Sequence, residues 1–195
     1  MKVQYVKFFS ITERISNLFF LNLLWIITCL PIITILPSTA AMFGVFREWV
    51  IKKETSIFRL FFQKFKENFK QSMVLELVWF IYGIIAYSNL RILDNFNVLI
   101  HSVTLAIVIT MGFLLLQISL YMFTLMVHYD LSNKALWKNA LLLSFKYFPT
   151  TLLGIVILGA MSFLIYIFPV SLIIVFSVTA YLLFLICFRT IRYHN

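Results

Sequence analysis

Residues 103–127, VTLAIVITMGFLLLQISLYMFTLMV, run for 25 positions without a charged side chain. At 1.5 Å per residue a helix of that length covers about 38 Å, enough to cross a hydrocarbon layer about 30 Å thick. Three further runs are apolar and of membrane-crossing length: MVLELVWFIYGIIAYSNL (73–90), which holds the single charge Glu76, TLLGIVILGAMSFLIYIF (151–168) and VSLIIVFSVTAYLLFLICF (170–188). A fifth, ISNLFFLNLLWIITCLPIITIL (15–36), is broken by Pro31, and Pro37 follows it directly. Only Pro169 separates the last two runs, which predicts a tight helical hairpin. No stretch alternates with the period of a strand. The chain is 63% hydrophobic and 12% charged, whereas a soluble domain is roughly half apolar and about a quarter charged. The expected fold is an all-α integral membrane protein. A single membrane domain over 1–195 would hold a bundle of about five transmembrane helices plus a cytoplasmic interfacial amphipathic helix.

The net charge of +9 would ordinarily suggest nucleic acid as a partner. The placement of the charges argues otherwise. Segment 44–72 carries Arg47, Lys52, Lys53, Arg59, Lys64, Lys66 and Lys70; segment 128–149 carries Lys134, Lys138 and Lys146; the tail carries Arg189 and Arg192. Twelve of the 16 basic residues thus fall in three short connections, the pattern by which a multi-pass membrane protein marks its cytoplasmic side. No nucleic acid is expected. Arg91 is offset by Asp94, and the turn at Pro169 has no basic residue. Five crossings place those three segments together on the inside and leave the N-terminus outside, against the pull of Lys2, Lys7 and Arg14. The alternative is a re-entrant hairpin, 15–30 followed by 38–50, which returns the N-terminus to the inside. Ser38-Thr39-Ala40 before Ala41 resembles a signal-peptide cleavage site, but cleavage there would send the basic segment 44–72 across the membrane.

Within that basic segment, SIFRLFFQKFKENFK (56–70) has an unusual wheel. Phe58, Phe62, Phe65 and Phe69 fall within about 60° of one another on a helix, and Arg59, Lys66 and Lys70 flank them. Ser56 suits the N-cap. The pattern predicts a helix lying along the bilayer, phenylalanines at the headgroup boundary and basic groups on anionic headgroups. A groove on a partner protein is the other surface that would suit it.

LNLLWIITCLPIITILPSTAAMFGVFREWVIKKE (21–54), with its Leu-Pro-x-x-Thr-x-x-Pro core, resembles the N-terminal signature of the YesL-like bacterial membrane proteins. FFQKFKENFKQS (61–72) and LSNKALWKNALLLSF (131–145) resemble two later signatures of that family. Leu36 stands where the signature often has Gly before the second proline. The resemblance implies a protein of the bacterial plasma membrane with no established biochemical function. It also implies an association with sugar utilisation, with a sugar transporter or a sensor kinase as partner.

Residues with chemical potential are few. His101, His128 and His194 lie at run ends or in the tail, and Asp94 and Asp130 lie in connections. No cofactor, metal or catalytic set is expected, and the chain is read as a non-enzyme. Cys29 and Cys187 sit in apolar runs, where thiols behave as small hydrophobes. Glu76 is the one carboxylate inside a run; it either pairs with Lys70 or Lys138 or marks an intramembrane ion or proton site. Asn22, Thr28 and Gln117 suit hydrogen bonds between helices, and Ser102, Ala106 and Thr110 repeat at four-residue spacing as a small-residue face. Asn68 and Asn139 occupy similar contexts, each ahead of an apolar run, which hints at a repeat of amphipathic helix plus span. Pro31 and Pro37 remove backbone donors, so a structural bend is expected there, buried in the bundle, with Thr34, Ser38 or Thr39 hydroxyls satisfying the carbonyls left over. The leading expectation is a small accessory or scaffold protein, and the alternative a permease-like subunit or small transporter.

Overall fold

A computed structural model of the chain describes residues 2–51, 56–92 and 98–192. Lys52, Lys53, Asp94 and His194, weighed above for charge and chemistry, lie outside the described residues, as do the side chains of Lys2, Lys7 and Arg192. Within these ranges the helices are α1 (Lys2–Thr28), α2 (Ile35–Ile51), α3 (Ile57–Ile92), α4 (Val98–His128), α5 (Asn133–Lys146), α6 (Phe148–Ile167) and α7 (Leu172–Arg192). Short 3-10 turns occupy Ile32–Thr34 and Pro169–Ser171. No described residue is in a strand. Four helices, α3, α4, α6 and α7, are long and apolar enough to cross a membrane. The molecule is an all-α membrane protein.

The first apolar run differs from a single crossing. α1 stops at Thr28, Pro31 takes an extended conformation (φ −75°, ψ 106°), and a 3-10 turn leads into α2. A proline ring supplies no N–H and drives the residue before it out of the helical region, so the helix cannot run through Leu30-Pro31. The chain then folds back. Leu36, at the start of α2, meets Glu76 of α3, while Glu48, near its end, meets Lys64, so α2 runs antiparallel to α3. Phe20 of α1 lies 6.4 Å from Phe58, and Trp25 Nε1 donates to Thr39 Oγ1 at 3.1 Å. α1 therefore runs with α3, and α2 returns beside both. The geometry is that of the 15–30 and 38–50 hairpin, and its tip, Leu30, Ile32 and Ile33, is exposed.

α2 is the centre of the molecule. Pro37, Ser38, Ala40 to Phe46 and Glu48 are all buried. Ser38, Ala40, Ala41 and Gly44 are small, so neighbouring backbones approach closely, and close packing is the main force available between helices in lipid. Phe43 sits 5.4 Å from Phe123 of α4 and 6.1 Å from Phe184 of α7, and Phe46 sits 5.2 Å from Tyr181. The small residues that resembled a cleavage site thus form the packing seam of the core.

The helix expected over 56–70 and the span expected over 73–90 are one element. α3 runs through both for 36 residues, about 54 Å. Nothing between Lys70 and Met73 breaks it: Gln71 and Ser72 contain neither Pro nor Gly, and the Ser72 hydroxyl donates to Asn68 O at 2.7 Å within the helix. The corresponding change from polar to apolar character after α5 does interrupt the chain. There Tyr147 leaves the helical region (φ −113°, ψ 44°), and Pro149 opens α6, the position where its missing N–H costs nothing. α6 and α7 are joined by the turn Pro169–Ser171.

Candidate functional site

At one end of the bundle α2, α3 and α4 bring charges together. Glu48 is 2% exposed, yet it is a carboxylate. Arg47 Nη1 donates to its Oε1 at 2.8 Å, and Lys64 Nζ lies 3.5 Å from the same oxygen and 2.7 Å from Glu67 Oε2. Arg47 Nε donates to His128 Nδ1 at 3.3 Å, so that ring nitrogen carries no proton. Two cations around a desolvated carboxylate offset much of the cost of burying it, whereas removal of either leaves the charge under-compensated. Gly44, one turn before Glu48, makes the arrangement possible: a Cβ there would stand 2.7 Å from Lys64 Cγ. The lysine stem therefore lies along α2 in the space that glycine leaves.

A polar cavity of about 610 Å3 opens beside this cluster, bounded also by Asn68, Lys70, Tyr129 and Asp130. Gln71 Nε2 closes one rim by donating to Leu131 O at 2.7 Å, and Asn68 Nδ2 donates to Lys64 O at 2.9 Å. Arg47, Glu48 and His128 did not stand out in the sequence as site residues. The one local signal is an Arg-Glu pair in an otherwise apolar stretch, FREWV; the partners lie 16 and 81 residues away in sequence.

The expected phenylalanine face divides. Phe58 and Phe62 are 57% and 48% exposed, whereas Phe65 and Phe69 are half-buried. The side of α3 pressed on the core is Ile57, Leu60, Phe61, Asn68 and Leu75, about 100° of arc from the exposed pair. Phe61 rather than the four named rings is the fully buried aromatic. Rings nonetheless form a ladder along the helix: Phe61 to Phe65 at 6.4 Å and Phe65 to Phe69 at 5.4 Å. Arg59, Lys66 and Lys70 are exposed beside them.

The bend splits too. Pro37 is buried, Thr34 half-buried and Pro31 exposed, so burial of the whole bend is not what forms. The Thr34 hydroxyl is placed on Thr28 O at 2.5 Å, a carbonyl the helix break leaves over, and on Pro31 O at 2.6 Å, which also accepts the Thr34 N–H at 2.8 Å. Thr39 Oγ1 donates to Ile35 O at 2.8 Å. Glu76 pairs with neither Lys70 nor Lys138. Its Oε2 accepts the Leu36 N–H at 2.7 Å, one of the donors that a helix start leaves without an intrahelical partner. A negative charge there also faces the positive end of the α2 dipole. Asn22, fully buried, ties α1 to the first turns of α7: Nδ2 donates to Leu172 O at 3.0 Å and Ile173 O at 2.7 Å, and Oδ1 accepts from Ser177 N at 3.1 Å. Thr28 bonds carbonyls of its own helix, Gln117 is buried, and Ser102, Ala106 and Thr110 face outward on α4.

An all-α membrane protein whose first apolar run bends back on itself, with a buried carboxylate held by one cation of its own helix and one of a neighbouring helix, is the class these observations define. The family pattern described as "Protein of unknown function, DUF624" matches residues 18–90, which include most of the hairpin, Glu48 and nearly all of α3. Three relatives from Bacillus subtilis (strain 168) are similar over most of the chain. The uncharacterized protein YteU is 33% identical over 161 residues, 80% of this chain and 72% of the relative. The uncharacterized protein YesL is 26% identical over 143 residues, 71% and 67% of the two chains, and the uncharacterized protein YesV is 29% identical over 162 residues, 80% and 77%. The chain belongs to this YesL-like family of unknown function. No solved structure matches it significantly.

Proposed function

We propose that the protein is a multi-pass accessory or scaffold protein of the bacterial plasma membrane. The carrying observation is the exposed patch of Phe58 and Phe62 with Arg59, Lys66 and Lys70, on the part of α3 that extends beyond its apolar half. Exposed aromatic rings among cations are a contact surface rather than a solvated one. In this reading the basic end faces the cytoplasm, the rings enter the headgroup boundary, and the cations meet anionic headgroups. The polar cavity beside them is then left facing a partner. The family resemblance favours a sugar transporter or a sensor kinase.

Affinity purification of the full chain from its native host, in mild detergent, tests this. A transporter subunit or sensor kinase should co-purify with the wild type and be lost when Phe58 and Phe62 are changed to Ser and Lys66 and Lys70 to Gln. A partner retained by that variant overturns the role of the patch. A second reading, a small transporter, is favoured by one observation: Glu76 bonded to the start of a broken hairpin, in the manner of discontinuous helices that hold substrates. Movement of a sugar or ion by the purified protein in vesicles would favour it.

A further inference from the structure

The apolar helices do not close on one another along their whole length. Between the α3–α4 pair and the α6–α7 pair, against the α1–α2 hairpin, lies a cavity of about 220 Å3 bordered by Trp25, Phe43, Trp79, Leu116, Leu158 and Phe176. Three polar residues also reach its wall, Thr39, Ser119 and Thr179. Their hydrogens are all committed elsewhere. Thr39 donates to Ile35 O and Thr179 to Val175 O; Ser119 donates to Leu115 O. The two indoles are committed as well, Trp25 to Thr39 and Trp79 to Ser119 at 2.9 Å.

Such a wall has no donor to offer. A buried water needs two to four polar partners, and an apolar cavity of about 150 Å3 stays dry and admits small apolar molecules. Leaving the space empty forfeits dispersion contacts on every side. The walls come from helices long and apolar enough to cross a membrane, and their outer surfaces nearby, Phe80, Ile84 and Val156, are exposed and apolar. Hydrocarbon is therefore the medium outside. We propose that the cavity seats one acyl chain of a membrane lipid, wedged between the two helix pairs. The chemistry is that of a saturated or singly unsaturated alkyl chain with no polar group inside.

The test uses the full chain in phosphatidylglycerol vesicles whose lipid carries bromine, a fluorescence quencher, at mid-chain. With Trp49→Phe, Trp79→Phe and Trp137→Phe, Trp25 is the one remaining indole. Its emission should fall in a straight line with the brominated fraction, as a single lipid neighbour requires, and Ala180→Phe, which fills the cavity wall, should remove most of that quenching. A companion variant retaining Trp79 alone should be quenched with or without Ala180→Phe, because Trp79 also borders a groove on the outer side of α3. Unquenched Trp25, equal quenching with and without Ala180→Phe, or a steeply curved fall set by several neighbours would each overturn the proposal. If the Trp79 signal shows that Ala180→Phe has not folded, the Trp25 curve of the chain without it decides: straight supports the seat, and flat or steeply curved rejects it.

Discussion

Thr34 has one hydroxyl hydrogen and two carbonyl oxygens within reach, and that economy makes the bend sensitive to a single atom. Thr34→Val keeps the shape and strips the donor; a loss of about 1–3 kcal/mol is expected for the Thr28 carbonyl left unmatched. Thr34→Ser should lose far less, and thermal unfolding in detergent would rank the two. Glu76 invites a similar comparison. Glu76→Gln retains an oxygen for the Leu36 N–H and should cost about 1 kcal/mol, whereas Glu76→Leu leaves that donor stranded and should cost more. Equal losses in the unfolding measurement would mean the bond does not hold α2. Both proline positions and Glu76 could be picked out in the sequence, because a missing donor or a charge in an apolar run is a local anomaly. The Arg47–Glu48–Lys64–His128 cluster could not, since each member looks ordinary until the fold brings the others to it.

Helices add constraints that residues alone do not carry. Because α3 is unbroken, spin labels at the exposed positions 59 and 87 are 28 residues apart along one axis and should give a distance near 42 Å. A break at Gln71 or Ser72, as a surface helix followed by a span would need, gives a markedly shorter one. The apolar runs between 73 and 188 reveal helices because length and lack of charge fix them there. The boundary at 70 misled because a change of polarity was read as a change of element, although only Pro, Gly or an unmet cap stops a helix. The approach of α2 to α3 yields a further test. Gly44→Leu must displace the Lys64 stem and should cost about 1–3 kcal/mol. Gly83→Ala and Gly159→Ala meet nothing within 4 Å and should stabilise their helices by about 0.5–1 kcal/mol, so a thermal scan should move in opposite directions for the two kinds of change.

For the molecule as a whole, orientation follows from the hairpin. With Cys29 and Cys187 replaced, single cysteines at 14, 66 and 138 should resist an impermeant thiol reagent added to intact cells, and one at 170 should react. All four positions are exposed. Reaction at 14 with protection at 138 would restore a fifth crossing, and reaction at 138 would invert the arrangement. On sequence alone a fifth crossing is favoured over the hairpin, because prolines announce a break without saying which way the chain goes next; that direction is set by Glu76 and Lys64, which grip the two ends of α2. The enclosure of α2 also dictates an order of events during synthesis. A helix this short, carrying Arg47 and Glu48, has no stable home in lipid by itself, yet it leaves the ribosome before anything that later surrounds it except α1. Phe123, which covers Phe43, emerges some 80 residues afterwards, and Phe184 some 140. The centre of the molecule is thus made well before α7 completes it, so a chain cut short before α7 should be cleared by quality-control proteases even though the membrane-length helices α3, α4 and α6 are already complete.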